Sequence, residues 1–226
     1  DDVGGVTWFN CDDADMVAET LLMNKEENFA SDKELAAIFM KHINNPYALS
    51  FIYTAQNPEP LKATVGERAV DMKINNVLST YTNHLFVKQG DKVVLDDDQF
   101  AAFQALLRRI KSDDADHYRL TVLITDAEKA GDLTTYVSLV EEYLATPGLD
   151  APDMTLANWA KPFSAPDANE DAKKRMISVL RSRVAEIEAG NRQPQTQLGN
   201  MRLSRPTDEL LRMIIQVMET GEIPKN

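Results

Sequence analysis

Residues whose chemistry could carry a metal or a nucleophile are sparse in this chain. It has three histidines, His42, His84 and His117, and one cysteine, Cys11. A zinc centre on a helix of the zincin kind needs two histidines four residues apart with a glutamate between them, which puts two ligands on one face. These histidines have no such spacing. His42 and His84 read as surface or core-edge residues, and His117 as a residue of a helix first turn. A single thiol excludes an intrachain disulfide, a Cys-x-x-Cys redox pair and every cysteine-rich zinc site.

Acidic side chains are plentiful, and their spacing points to structure. Asp96, Asp97 and Asp98, and again Asp113, Asp114 and Asp116, offer oxygens to a hard cation. Neither run has the alternating ligands, central glycine and terminal glutamate of a calcium loop. Each run stands just before an apolar-periodic segment, where acids cap a helix and complement its dipole. Glu141 with Glu142, and Glu186 with Glu188, are candidates for paired-carboxylate hydrolysis of a glycosidic bond. Neighbours on a helix point about 100° apart, so each pair by itself makes a solvated face. There is no nucleophile-elbow motif and no glycine-rich phosphate loop. No metal or cofactor is expected.

Arginine is the remaining candidate. Asn191 to Arg205 contains Arg192, Arg202 and Arg205, several Gln and Asn, and no acid. Residues 171–212 hold nine basic and five acidic side chains, whereas residues 1–100 hold eight and seventeen, so charge is polarised along the chain. One reading is a long connecting strap, 191–205, whose arginines pair with the acidic body. The sharper one has Arg192, Arg202 and Arg205 dock an acidic or phosphate-bearing partner, because guanidinium binds such groups bidentately.

With 226 residues, 43% of them hydrophobic, the chain can form one well-cored helical domain, with sub-units 1–90 and 91–226 as an alternative division. Its net charge of −12 repels phosphate backbones and anionic lipid, so nucleic acid is excluded as a general partner. No apolar run is long enough to insert in a membrane. The chain starts Asp1-Asp2-Val3 without methionine, from which we expect an upstream segment removed by processing or by design, and a periplasmic or exported location with a cytoplasmic one as the alternative.

Helix periodicity recurs throughout. Val6, Trp8 and Phe9 read as an apolar anchor ahead of a helix capped by Asp12 or Asp13, with Met16, Val17, Leu21 and Met23 as a loose inward stripe. Ser31 and Asp32 cap a second helix with Leu35, Ile38 and Phe39 on one face. Pro46 starts a helix over 47–56, and 61–65 form a short helical turn. Gly66 opens a long helix with Val70, Ile74, Val77, Leu78, Tyr81 and Leu85 inward, closed by Gln89-Gly90-Asp91. Lys92 to Leu95 is a brief extended stretch. Asp-capped helices follow, with Phe100, Phe103, Leu107 and Ile110, then Leu120, Leu123, Ile124 and Ala127, as inner faces. A tight corner at Gly131 leads to a helix burying Tyr136, Val137, Val140 and Tyr143. A short helix with Trp159, a long one over 167–190 and a last one over 207–220 complete the chain. Eight to ten helices and no alternating strand pattern predict an all-α fold of antiparallel hairpins, packed as a short solenoid or a tetratricopeptide-like bundle.

Lys129 to Pro147 resembles the corner and second helix of a tetratricopeptide repeat, through Gly131, Asp132 and Pro147; Tyr136 stands where that family has a small residue. A longer likeness over about 32–190 rests on Val65-Gly66-Glu67-Arg68-Ala69-Val70-Asp71, on the Asp-capped helices, on the Gly131 corner and on Asn158-Trp159-Ala160. It is similar to the helical region that follows the thioredoxin domain in some secreted bacterial thioredoxin-family proteins. That resemblance implies a helical companion without the redox half, and no catalytic residue carries over.

The function expected is a non-catalytic protein- or peptide-interaction module, with Arg192, Arg202, Arg205, Tyr136 and Trp159 as partner-binding candidates. Each aromatic has core packing as its other reading. Two rivals stand beside it. One is an enzyme whose carboxylates and arginines assemble from separate helices, which a deep polar pocket uniting two acids with a base would favour. The other is an architectural domain of a longer protein.

Overall fold

The structure is a computed structural model and describes residues 13–24, 26–165, 167–198 and 201–222. The expected anchor at Val6, Trp8 and Phe9, together with Cys11 and Asp12, lies outside the described residues. The chain divides into two compact units between Tyr118 and Arg119.

In the N-terminal unit, α1 (Asp13–Met23) is followed by a 3-10 turn (Glu26–Ser31) and α2 (Lys33–His42). Asp32 caps α2, its carboxylate accepting from Glu34 N at 2.9 Å and Leu35 N at 3.0 Å. This satisfies two amide donors that the first turn leaves without intrahelical acceptors. Next come α3 (Leu49–Gln56), α4 (Glu59–Val65) and α5 (Glu67–Thr82). α3 begins later than Pro46 suggests, because the Asn45 side chain accepts from Tyr47 N at 2.9 Å and holds Pro46-Tyr47 in a turn. Lys62 on α4 pairs with Asp71 on α5 at 3.0 Å. Val70, Val77, Leu78 and Tyr81 are buried along α5, as its spacing predicts.

Two further sequence expectations fail in this unit. Met16, Val17, Leu21 and Met23 are exposed, Val17 by 67%, while Ala18 and Leu22 are the residues α1 buries. α1 carries apolar residues around its whole circumference, so its sequence did not say which face turns inward. The long helix also ends at Thr82, short of Gly90: Phe86–Gln89 (β1) pairs antiparallel with Lys92–Leu95 (β2). Gly90, at φ 61°, opens the two-residue connection, the conformation such hairpins demand. Strands of four residues are too short to reveal an alternation.

Asp96 caps α6 (Asp97–Arg109), accepting from Gln99 N at 3.0 Å, and Phe103 and Leu107 are buried beneath it. α7 (Ala115–Ala130) runs through the division between units.

The C-terminal unit contains the rest of α7, then α8 (Leu133–Ala145), α9 (Asp153–Ala160), a 3-10 turn (Lys161–Ser164), α10 (Glu170–Glu188) and α11 (Thr207–Thr220). At the corner after α7, Gly131 (φ 70°) donates to Glu128 O at 3.0 Å and Asp132 N to Ala127 O at 3.0 Å, which is a Schellman close. Asp132 then caps α8 by accepting from Thr135 N at 3.0 Å. One core joins Leu120, Tyr136, Val140, Leu156, Met176 and Leu211 from α7 to α11. Within the expected strap, Gln197–Leu198 (β3) and Met201–Arg202 (β4) form a small antiparallel pair, a second departure from a strand-free chain. Helix dominates both units, and the fold is all-α in its bulk.

Candidate functional site

α9 starts at Pro152-Asp153, proline holding the cap position with ψ 147° and aspartate taking the first helical residue. An acid there faces the positive end of the helix dipole. Asp153 is fully buried, and its two oxygens have separate partners. Oδ1 accepts from Arg183 Nη1 of α10 at 2.9 Å, and Oδ2 accepts from the Thr207 hydroxyl at the start of α11 at 2.6 Å. Thr207 in turn accepts from Gln195 N at 2.9 Å and donates its own N–H to Gln195 O at 3.0 Å. One carboxylate thereby ties α9, α10, α11 and the 191–206 segment together.

Arg183 spends its remaining donors on nearby oxygens. Nη1 also donates to Ala151 O at 2.8 Å, Nη2 donates to Asp150 Oδ1 at 3.1 Å, and Nε lies 3.2 Å from Glu186 Oε2. Arg192 donates to the other Asp150 oxygen, with its Nε 3.8 Å from Glu186 Oε2. The hydrogen bond from Arg192 holds the Asp150 carboxyl below its ordinary range, and in return Asp150 raises the Arg192 guanidinium. Both charges are therefore kept. A general acid requires the opposite environment, one that retains the proton.

Beside this cluster a cleft of 440 Å³ opens between α8 and α10. Leu144, Ala145, Leu149, Leu156 and Val179 give it apolar walls, while Glu141, Asp150, Glu186, Arg183 and Arg192 supply charge. Glu141 is bound from the side by Arg175, which donates Nε at 3.1 Å and Nη2 at 2.5 Å. The cleft thus brings three acids and two arginines together, each acid paired with an arginine. A second cleft of similar size, between α10 and α11, includes Lys173, Arg181 and Met218. Lys173 pairs there with Glu170 at 2.9 Å and Arg181 with Glu219 at 2.5 Å.

The residues singled out from sequence have varied positions. Tyr136 is only 1% exposed and packs edge-on against Phe163, centroids 5.6 Å apart, so it offers no surface to a partner. Trp159 is half-buried against the same core, 5.2 Å from the Tyr143 ring. Arg192 is paired to the acidic body through Asp150, whereas Arg202 is exposed on β4 and Arg205 places Nη1 3.5 Å from Met213 Sδ. Of the five, Arg192 alone lines the cleft. The sequence marks Asp153 and Thr207 only as helix starts, and Arg183 was not singled out at all. A signal existed: Arg183 falls three residues after Leu180 and one before Val184, a charge set into the apolar stripe of α10.

Among the described residues no group of three or more His, Cys, Asp or Glu is placed to hold a metal ion, and no helix is long and apolar enough to cross a membrane. Compared with models of known families, with curated proteins and with solved structures, the chain matches none.

Proposed function

We propose that this chain is a non-catalytic interaction module that binds a segment of another protein, with α7 and α8 acting as a tetratricopeptide-like hairpin. The observation that carries this reading is the cleft between α8 and α10, apolar along its walls and charged at its edges. Such a lining suits a bound side chain: apolar area supplies the free energy and a few charges fix orientation. The ionic cluster beside it, shared by α9, α10 and α11, supports the reading because a recognition surface binds more tightly when it is already formed.

Titration of the isotope-labelled full chain with a degenerate peptide mixture tests it. Chemical-shift changes should concentrate on Leu144, Ala145, Val179 and Glu186. Unchanged spectra at millimolar peptide would count against a binding module.

The enzyme reading draws on the same cleft, since acids and arginines do meet there. Its test is turnover of a glycoside or ester panel that disappears in Glu186→Gln. The paired state of Asp150 and Glu141 favours binding over proton transfer.

A further inference from the structure

The cleft's formal charges nearly balance, yet its accessible charge does not. The Asp150 and Glu186 side chains are 58% and 52% exposed, while their partners Arg192 and Arg183 are 25% and 6% exposed; Glu141, 40% exposed, is matched by Arg175 at 38%. Arg183 has committed Nε, Nη1 and Nη2 to protein oxygens, so an arriving ligand finds little donor capacity in it. Glu186 uses only Oε2 toward the two arginines, and its Oε1 has no hydrogen-bond partner among the described residues. What faces water at the cleft is therefore carboxylate beside aliphatic wall. An incoming anion would meet the Asp150 and Glu186 carboxylates first, with Arg183 and Arg192 already neutralised behind them.

We propose that the occupant of this cleft is a basic segment of a partner protein: an aliphatic or aromatic side chain seated against Leu144, Ala145, Leu149 and Val179, with an adjacent arginine or lysine bound by Glu186 and Asp150. This inference rests on the interaction-module reading and specifies its partner. Charge complementarity selects the occupant, and the net charge of −12 favours the encounter with a cationic chain at a distance. It is the reverse of the acidic partner that the arginine content of 191–205 suggests from sequence. Here Arg192 serves to hold Asp150, while Glu186 keeps Oε1 available beside it.

Fluorescence polarisation on the full chain decides the matter, using labelled nonapeptides with a central leucine followed two residues later by arginine, lysine, glutamine or glutamate. The arginine and lysine peptides should bind at least tenfold more tightly than the glutamate peptide, with affinity falling as salt rises. Glu186→Gln can still accept from Arg183 Nε and should weaken the arginine peptide about fivefold while leaving the glutamine peptide unchanged. Ala145→Trp fills the cleft from an exposed position and should abolish binding of both, with circular dichroism unaltered. Tighter binding of the glutamate peptide, or indifference to Glu186→Gln, would overturn the basic occupant while leaving an interaction module standing. Failure of every peptide to bind would remove the module reading as well. Binding that survives Ala145→Trp would place the site elsewhere and overturn the inference.

Discussion

Arg183 and Asp153 meet at 2.9 Å with side chains 6% and 0% exposed, an ion pair buried behind the wall of the cleft. Its energetics differ from those of the surface pairs. Removing one member leaves a buried charge uncompensated, which costs about 3–5 kcal/mol. Asp153→Ala should therefore destabilise the chain by about 3 kcal/mol in urea unfolding, toward the lower end because Arg183 keeps Asp150 and Glu186. Arg183→Met should cost as much or more, since it strands a fully buried carboxylate. The double variant should lose clearly less than the sum. Additive losses would mean that the pair is not coupled.

Asp150 predicts a dependence on pH. Its folded pKa lies below its ordinary value of 3.8, first because of the hydrogen bond from Arg192. A carboxyl of that kind adds stability above its unfolded pKa and loses it as pH falls through the folded value. Asp150→Asn should thus be less stable than wild type at pH 7, with the difference shrinking below about pH 4 as the wild-type carboxylate takes up a proton. Thermal unfolding from pH 7 to pH 3 measures it. A gap that stays constant would deny the ion pair its role.

Lys111 has a left-handed backbone, φ 52°, where α6 ends: Lys111 N donates to Arg108 O at 3.2 Å and Ser112 N to Leu107 O at 3.0 Å. That is the Schellman geometry glycine usually provides, and an L side chain there is strained by about 1 kcal/mol. Lys111→Gly should accordingly raise stability, by about 0.5 kcal/mol once the extra freedom glycine gives the unfolded chain is subtracted. Gly131→Ala, at φ 70° in the equivalent place after α7, should lower it by a comparable amount. Paired denaturation curves check both signs.

The orientation of α1 is also open to test. Leu22 is fully buried and Val17 is 67% exposed. Leu22→Ala should cost about 2–5 kcal/mol, and Val17→Ser should stay within about 0.5 kcal/mol of wild type. The opposite order would mean that the stripe read from sequence faces inward after all.

Asn169 caps α10 by accepting from Asp171 N and Ala172 N, each at 3.0 Å. Asn169→Ala should lose about 1 kcal/mol. Because α10 supplies Arg183 and Glu186 to the cleft, fraying of its first turn should leave peptide affinity unchanged, those residues lying several turns away.

Local signals were legible wherever one face and one boundary agreed. The last helix is a clear case: Leu210, Leu211, Ile214, Ile215 and Met218 repeat at helical spacing after Pro206 and before Gly221, and the structure has it from Thr207 to Thr220. The aspartate caps of α2 and α6 follow from residue type alone, because a short carboxylate reaches the amides two and three residues ahead. Less was readable where evidence was short or symmetric, as in the four-residue strands β1 and β2 and in α1, which has apolar residues on every side.

Periodicity and capping act within a turn or two of helix, so the amino-acid order by itself determined the all-α character, most helix boundaries and the Gly131 corner. Asp153 meets Arg183 across 30 residues and Thr207 across 54, and no local pattern encodes those distances. Tertiary packing decided those pairings. By burying Arg183 and leaving Glu186 at the surface, it also set the sign of the charge that the cleft presents to water.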